Sequence, residues 1–308
     1  MYKHTTSEVV MIKPAQFMFN AETAVNNAYQ NNDDADIKQV QEKALEEFNN
    51  VVKALEAKGV KVNVLDDTPD PATPDSIFPN NWFSTHEGGI MVVYPMFAEN
   101  RQEEIVKFRE TVEEIASKAA KDEKIFKVID YSHNRERDQI LEGTGAMVID
   151  RKNKVAYCAL SPRADKELFE EFCKATGHEP VSFVAKQDGG VIYHTNILMG
   201  IGEKKAIICL DSIQGDDKEK VRKKLEEGGN DIIELNFDQV TACAGNTLEL
   251  RGSDGKNFIA ISERAYKSLT DEQIKKIEET TEIVCVNIDT IEYYGGGSIR
   301  CMIAEVFG

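Results

Sequence analysis

Three residues of this sequence carry the functional groups of a nucleophilic active site: Cys301 a thiol, His194 an imidazole and Glu142 a carboxylate. A thiolate attacks electrophilic carbon, an imidazole transfers protons near neutral pH, and a carboxylate fixes the tautomer and orientation of the imidazole. The three residues lie far apart along the chain. The sequence therefore predicts this chemistry only if the fold brings them together.

A repeated pattern gives a reason to expect such a fold. Each unit begins with polar residues and continues with a strand, a turn rich in Gly, Asn, Asp or Lys, a second strand and a helix. The units begin near Asn81, Glu142, His194, Asn246 and Cys301. A spacing of about 50 to 60 residues between these points is typical of a radial array. The segments ALSPRAD (159–165) and AISERAY (260–266) also match and occupy the same place in two units.

The fifth unit is divided between the two ends of the chain. The C-terminal segment GGGSIRCMIAEVFG (295–308) supplies one strand, and SEVVMIKPAQF (7–17) with a helix from about Asp34 to Lys58 supplies the rest. Pairing the two ends would close the ring and remove exposed sheet edges. Equivalent points of a ring all face its axis, so the five polar starts should converge there. We find no linker or shift in composition, and expect one domain over residues 1–308.

Composition excludes several classes of partner. The 308 residues carry a net charge of −17, whereas nucleic acids and anionic membranes attract clustered Lys and Arg. No apolar run approaches the roughly 20 residues that span a bilayer, and the N-terminus lacks the apolar core of a signal peptide. None of the six cysteines forms a CxxC pair, which favours reduced thiols in the cytoplasm.

The sequence gives no support for a metal or a nucleotide cofactor. The histidines and cysteines show no metal-ligand spacing, and the glycine pairs lack the third glycine or the GK[ST] sequence of phosphate-binding loops. His86 falls in the predicted turn HEGG, and we expect it to be exposed to solvent. We therefore expect no cofactor, no metal and a small molecule as the partner, with a homodimer left open.

Four segments carry a resemblance to a known family. They are PNNWFSTHEGG (79–89), LEGTGAM (141–147), YHTNILMGIG (193–202) and GGGSIRCMIAE (295–305). They resemble the motifs of the guanidine-modifying, or amidinotransferase/arginine deiminase, superfamily, most closely its citrulline hydrolase branch, with succinylarginine dihydrolases as near relatives. The resemblance implies an α/β fold, the pentein, which is a five-bladed ββαβ propeller with pseudo-fivefold symmetry. It also implies that Cys301 is the nucleophile, His194 the acid and base, and Glu142 its carboxylate partner.

The substrate-binding positions depart from part of this superfamily. Arginine deiminase-like relatives hold the guanidinium with aspartates at two positions that match Asn81 and Asn196 here. An asparagine offers both a donor and an acceptor, which suits a neutral ureido group better than a cation, so we expect citrulline rather than arginine. Arg163, which follows the hairpin of the second unit, is our candidate for binding the substrate carboxylate. Its counterpart Arg264 in the fourth unit leaves open that both arginines are structural.

The implied reaction has two steps and needs no cofactor. Cys301 attacks the ureido carbon while N–H groups near Gly295 to Ser298 stabilise the oxyanion, and His194 protonates the departing amine. His194, held by Glu142, then activates water to hydrolyse the carbamoyl enzyme, which gives ornithine, ammonia and carbon dioxide. Two alternatives stay open: an arginine deiminase, dihydrolase or amidinotransferase of the same superfamily, and a pentein that only binds a ligand.

Overall fold

The computed structural model of the chain describes residues 4–120 and 125–308. Most of the strands and helices fall into units with a similar order of secondary-structure elements. The N-terminal part forms β1 (Glu8–Lys13), α1 (Ala21–Ala24), α2 (Ile37–Ala57) and β2 (Lys61–Asp66). The unit that begins near Asn81 forms β3 (Phe83–His86), β4 (Ile90–Val93), α3 (Glu99–Ala119) and β5 (Lys127–Asp130). The unit that begins near Glu142 forms α4 (Gly143–Ala146), β6 (Met147–Asp150), β7 (Val155–Ala159), α5 (Lys166–Thr176) and β8 (Glu179–Phe183).

The second half of the chain repeats this order. It opens with a short hairpin of β9 (Lys186–Gln187) and β10 (Gly190–Val191). The unit of His194 forms α6 (Thr195–Leu198), β11 (Met199–Ile201), β12 (Lys205–Ile208), α7 (Asp217–Glu227) and β13 (Asp231–Glu234). The unit of Asn246 forms α8 (Phe237–Thr241), β14 (Leu248–Arg251), β15 (Asn257–Ser262), α9 (Glu263–Ser268), α10 (Asp271–Glu278) and β16 (Glu282–Val286). The C-terminus adds α11 (Asp289–Gly295) and β17 (Ala304–Glu305).

Five sheets within the described residues have three strands each and share one topology. Two strands pair antiparallel, and the last strand runs parallel to the middle one after a helical crossover, as in β6, β7 and β8. In the sheet of the chain termini, β17 pairs antiparallel with β1, and β1 pairs parallel with β2. The two ends of the chain therefore share one sheet.

Local sequence sets the bounds of the helices, as α5 illustrates. The side chain of Asp165 accepts a hydrogen bond from the Leu168 N–H at 2.8 Å, and Gly177 ends the helix in the left-handed conformation. The helix buries Leu168, Phe169 and Phe172 on one face, as their three- and four-residue spacing predicts. Among the described residues, no helix combines the length and apolar character that crossing a membrane would need.

Buried hydrophobic side chains join each unit to its neighbours. One cluster, with Val10 and Trp82, joins the terminal sheet to the unit of β3 to β5. A second, with Tyr94 and Phe172, joins that unit to the unit of β6 to β8. A third runs through β7, β12 and β15, and a fourth returns from β15 to α2. This order of contacts is what a closed ring requires. The fold is α/β; the five-bladed propeller and the single domain over residues 1–308 stay predictions.

The exposed position predicted for His86 is wrong. Its side chain is only 4% exposed, because β3 extends to His86 and the turn begins after it. Nε2 lies 2.8 Å from Oγ of Ser84, and Nδ1 lies 3.4 Å from a guanidinium nitrogen of Arg151. Burial, with a smaller effect of Arg151, lowers the pKa of His86 well below its ordinary value. The alternation of side chains along a strand decides where this histidine points.

Candidate active site

The polar residues at the unit starts occupy similar places in the structure. Glu142 immediately precedes the one-turn helix α4, and His194 immediately precedes the one-turn helix α6. Asn81 ends a short 3-10 turn before β3, Asn246 lies between a turn and β14, and Cys301 lies in the turn before β17. All five side chains are buried. The two short helices were not predicted, and they set the directions of Glu142 and His194.

Glu142 and His194 form a direct hydrogen bond. Nε2 of His194 lies 2.7 Å from Oε2 of Glu142. The carboxylate also accepts bonds from the Phe97 N–H at 2.9 Å and from the Arg163 guanidinium at 3.3 Å. Burial by itself would raise the pKa of Glu142, but Arg163, the bond with His194 and Arg101 outweigh it and hold that pKa well below its ordinary value. Glu142 is therefore ionised at neutral pH.

His194 is neutral at the same pH. Burial lowers its pKa to about 4, against the opposing effect of the Glu142 carboxylate. A carboxylate only accepts hydrogen bonds, so Nε2 must carry the imidazole proton and Nδ1 must carry the lone pair. Nδ1 faces the backbone at Gly145, because a β-carbon built there would lie 2.8 Å from it. The ring thus presents a base on the side away from Glu142.

The thiol of Cys301 is held by two side-chain amides. Nδ2 of Asn196 and Nδ2 of Asn246 each lie 3.2 Å from Sγ. Asn196 stands two residues after His194 at the start of α6, so one short helix carries both the imidazole and an amide that contacts the Cys301 thiol. Oδ1 of Asn196 is buried and has no hydrogen-bond partner among the described residues. The amide can therefore donate to the thiol through Nδ2 and accept a hydrogen bond from a ligand through Oδ1.

Asn81 belongs to a chain of hydrogen bonds that starts at a buried arginine. Arg101 donates to Oδ1 of Asn81 at 2.7 Å, and Nδ2 of Asn81 donates to Oδ1 of Asn80 at 3.1 Å. Glu104 holds the other side of the Arg101 guanidinium, at 2.7 and 3.0 Å. Nδ2 of Asn80 is left buried without a partner among the described residues. Both ends of the Asn81 amide are thus occupied, and the free group belongs to Asn80.

Arg163 is buried against Glu142 and against the N-terminal segment of residues 20–31. Besides its contact with Glu142, it donates to the carbonyl of Thr23 at 2.7 Å and to Oδ1 of Asn26 at 2.7 Å. Its guanidinium carbon lies 4.5 Å from the centre of the Tyr193 ring. Arg163 therefore ties this segment to the carboxylate that supports His194. Its predicted contact with a substrate carboxylate stays a prediction.

Sequence reasoning missed several residues that surround the site. Asp75 is buried, and Oδ2 accepts from Asn20 at 2.9 Å and from Thr23 at 3.0 Å, while Oδ1 has no partner among the described residues. Burial raises the pKa of Asp75, and Arg101 opposes the effect. The available signal for Asn80 was the first motif itself, which contains it, whereas Asp75 stands four residues before that motif.

One N–H group proposed for the oxyanion is already in use. The Gly296 N–H donates to the carbonyl of Glu292 at 3.0 Å and completes the last turn of α11. A contribution from the remaining N–H groups between Gly295 and Ser298 stays a prediction. Among the described residues, no group of three or more His, Cys, Asp or Glu side chains is placed to hold a metal ion.

The close approach of Gly145 to His194 gives a first testable prediction. In Gly145→Ala the new β-carbon would lie 2.8 Å from Cε1 and Nδ1 of His194, and closer still to Nδ2 of Asn81, whereas ordinary contacts are 3.4–4 Å. The imidazole must move, and a displacement near 1 Å can lower a rate on the order of 100-fold. We expect kcat of Gly145→Ala to fall between about 10-fold and 100-fold in a steady-state assay. Gly190→Ala, whose nearest contact is 3.6 Å, is the matched control, and equal rates for the two variants would contradict the geometry.

Comparison with known proteins shows which family the chain belongs to. A sequence profile of the family described as N,N dimethylarginine dimethylhydrolase, eukaryotic, matches residues 13–308. The chain belongs to this family. Membership confirms the superfamily predicted from the four motifs, and the description of the family names hydrolysis of a dimethylated arginine. A search of curated proteins found no match.

Solved structures similar to this family member show its fold. The arginine dihydrolase ArgZ of cyanobacteria superimposes with a TM-score of 0.76 at 15% identity, over 97% of this chain and 40% of ArgZ. The N-terminal domain of ArgZ alone, bound to substrate, gives a TM-score of 0.75 at 16% identity over 97% and 98% of the two chains. A variant of dimethylarginine dimethylaminohydrolase in an adduct with S-methyl-L-thiocitrulline gives 0.66 at 15% identity over 99% of both. The chain spans less than half of full-length ArgZ.

Proposed function

We propose that this chain hydrolyses citrulline to ornithine, ammonia and carbon dioxide through a covalent intermediate on Cys301. The observation that carries the proposal is a pair of unpartnered, buried amide atoms of opposite character. Nδ2 of Asn80 is a donor, and Oδ1 of Asn196 is an acceptor. A ureido group offers a carbonyl oxygen and N–H groups and so complements both, whereas a guanidinium offers donors alone.

The orientation of the Asn80 amide follows from Arg101. A guanidinium only donates hydrogen bonds, so the Asn81 atom 2.7 Å from it must be Oδ1. Nδ2 of Asn81 then faces Asn80, whose atom at 3.1 Å must be the acceptor Oδ1. Nδ2 of Asn80 is therefore the group left for a ligand. This chain of bonds supports a site built for a neutral acceptor rather than for a second cation.

Charged groups around the site suit the amino-acid end of the substrate. Oδ1 of Asp75 lacks a donor, and a substrate ammonium would supply one. We propose that Arg163 binds the substrate carboxylate, for which its guanidinium would exchange part of its contact with Thr23 and Asn26. Asp75 and Arg163 are both buried, so the substrate ammonium would pair with Asp75, and the substrate carboxylate would be a second anionic partner of Arg163 beside Glu142.

The proposed reaction proceeds in two balanced steps. In the first, Sγ of Cys301 bonds to the ureido carbon, the thiol proton passes through Nδ1 of His194 to the substrate δ-nitrogen, and the carbon–nitrogen bond breaks to release ornithine. In the second, Nδ1 of His194 takes a proton from water, the hydroxide attacks the carbamoyl carbon, and the carbon–sulfur bond breaks. The proton returns to Cys301, and the released carbamic acid decomposes to ammonia and carbon dioxide.

We propose that the reaction takes place in the cytoplasm and that the partner is the small-molecule substrate. The six cysteines are unpaired, which supports a reducing compartment. Every proton-transfer and nucleophilic role in the two steps is assigned to a protein side chain, so the proposed mechanism needs no cofactor.

A product assay tests the substrate. The purified chain is incubated in parallel with citrulline, arginine, N,N-dimethylarginine and N-succinylarginine, and ornithine, citrulline and ammonia are quantified. We expect ornithine from citrulline, with kcat/KM for citrulline at least about 10-fold above that for arginine, since one unmatched buried donor is worth about 1–3 kcal/mol. Turnover of arginine or dimethylarginine without turnover of citrulline would contradict the proposal.

In the same assay, the Asn80→Asp variant tests whether the Asn80 amide selects the substrate. The substitution replaces the free donor with a carboxylate oxygen of similar size, so it should disfavour the ureido oxygen and favour a guanidinium. We expect the ratio of kcat/KM for citrulline to that for arginine to fall at least about 10-fold. An unchanged ratio would mean that the Asn80 amide does not contact the reacting group.

A further inference from the structure

We infer that Asn246 is a catalytic residue that orients the Cys301 sulfur and stabilises its ionised form. Its Nδ2 lies 3.2 Å from Sγ, although 55 residues separate the two positions. The inference rests on the proposed function only in taking Cys301 as the nucleophile. It concerns the thiol itself, so it can be tested without any substrate.

The orientation of the Asn246 amide is fixed by a backbone donor. The Arg300 N–H lies 3.0 Å from one atom of this amide, which must therefore be the acceptor Oδ1. Nδ2 then faces both Sγ of Cys301 and, at 3.2 Å, the carbonyl oxygen of Asn196. Two acceptors are available for its two hydrogens. One N–H is consequently directed at the sulfur. If the amide were rotated by 180°, its NH2 group would face the Arg300 N–H, and two donors would oppose each other.

The backbone around Asn246 is held by a hydrogen bond and by close packing. The Asn246 N–H donates to the carbonyl of Cys243 at 2.9 Å, which closes a turn. A β-carbon on the preceding Gly245 would lie 2.6 Å from the carbonyl oxygen of Ile197 and 2.6 Å from the carbonyl carbon of Leu198. Only glycine allows this contact. The turn of Asn246 is therefore packed directly on α6, the helix that follows His194.

Among the described residues, the side-chain hydrogen bonds to Sγ of Cys301 come from the two neutral amides of Asn196 and Asn246. His194 is neutral, since burial lowers its pKa to about 4. The Arg300 guanidinium binds the carbonyl of Ile303 at 2.8 Å and the carboxylate of Glu305 at 2.9 Å. Aligned N–H groups stabilise a buried anion by donating hydrogen bonds to it. The two amides on Sγ supply such groups.

The two amides differ in what else they do. Asn196 has a free Oδ1, and the proposed function assigns that oxygen to the substrate. Both ends of the Asn246 amide are already bonded within the protein. Asn246 is therefore the donor that stays on the sulfur throughout the reaction, when the thiolate attacks and again when it departs as the leaving group.

The test is the rate at which iodoacetamide alkylates Cys301, measured against pH and assigned by peptide mass mapping of the full-length chain. Asn246→Asp keeps an acceptor for the Arg300 N–H but turns a carboxylate oxygen toward Sγ. We expect its alkylation rate at pH 7 to fall about 10-fold to 100-fold, and the pH of the half-maximal rate to rise. Asn246→Ser, which retains a hydroxyl donor, should give an intermediate rate. Asn50→Asp, on the exposed face of α2, is the control for the added charge and should behave as wild type.

The outcomes separate this inference from the proposed function. Alkylation profiles that coincide for wild type and for both Asn246 variants would overturn the inference, as would lost turnover with an unchanged profile. A shifted profile in a folded variant supports it, even if wild-type protein fails to hydrolyse citrulline, and in that case the proposed function alone is wrong. Circular dichroism checks folding, and the Ser variant provides the measurement if the Asp variant does not fold.

Discussion

Cys301→Ala is expected to lower kcat by at least about 10⁴-fold, because removal of a hydrolase nucleophile leaves only binding and oxyanion stabilisation. The sulfur lies in a buried site between two amide donors, and the methyl group that replaces it cannot bond to the ureido carbon of the proposed substrate. Release of ornithine measures the loss. Mass spectrometry of wild-type protein quenched during turnover should find one carbamoyl group on the peptide that contains Cys301, and none in the variant.

A second cysteine provides the control for this result. Cys285 is exposed on β16, outside the hydrogen bonds of the site. Cys285→Ala should keep wild-type kcat and wild-type thermal unfolding. If Cys301→Ala retained turnover within about 10-fold of wild type, where at least about 10⁴-fold is expected for a lost nucleophile, the assignment of the nucleophile would be wrong.

Glu142→Gln should produce the next largest effect, a fall in kcat of about 10³-fold to 10⁴-fold. Glutamine preserves the volume and can still accept from the Phe97 N–H, but it no longer carries the charge that opposes Arg163 and Arg101. Its amide can donate to Nε2 of His194, which would move the imidazole proton to Nδ1 and remove the lone pair that acts as the base.

The pH dependence of activity gives an independent test of the Glu142→Gln variant. In wild type the Glu142 carboxylate raises the pKa of His194 against the larger effect of burial, with a result of about 4. Its loss lowers that pKa further, so the variant should not recover activity at any pH between about 5 and 8, where the imidazole is already neutral. Glu114→Gln, which changes an exposed carboxylate on α3 paired with Lys118, should match wild type. Activity of Glu142→Gln near the wild-type level would rule out the proposed partnership.

The sequence alone predicted the parts of the fold that depend on local order. Hairpin turns, amphipathic helices and a spacing near 50 residues predicted units of two strands and a helix, because side-chain periodicity and turn residues act over a few positions. The third strand of each unit was implied only by the resemblance to the superfamily. The structure has these elements, and helix α2 (Ile37–Ala57) lies within the range predicted for it. The motifs also identified the superfamily and the three candidate catalytic residues.

The tertiary structure alone decided which groups remain free for a ligand. The substrate contact predicted for Asn81 stays a prediction; Arg101 donates to its oxygen, and the unpartnered amide nitrogen belongs to the neighbouring Asn80. His86 lies inside rather than in solvent, and Asn246 turns its amide to the sulfur because the Arg300 N–H takes the other end. Each result depends on which donors and acceptors meet across long stretches of chain. Hydrogen bonds of this kind are directional and saturable, so residue type lists what an amide can do, and only its neighbours in space determine what it does.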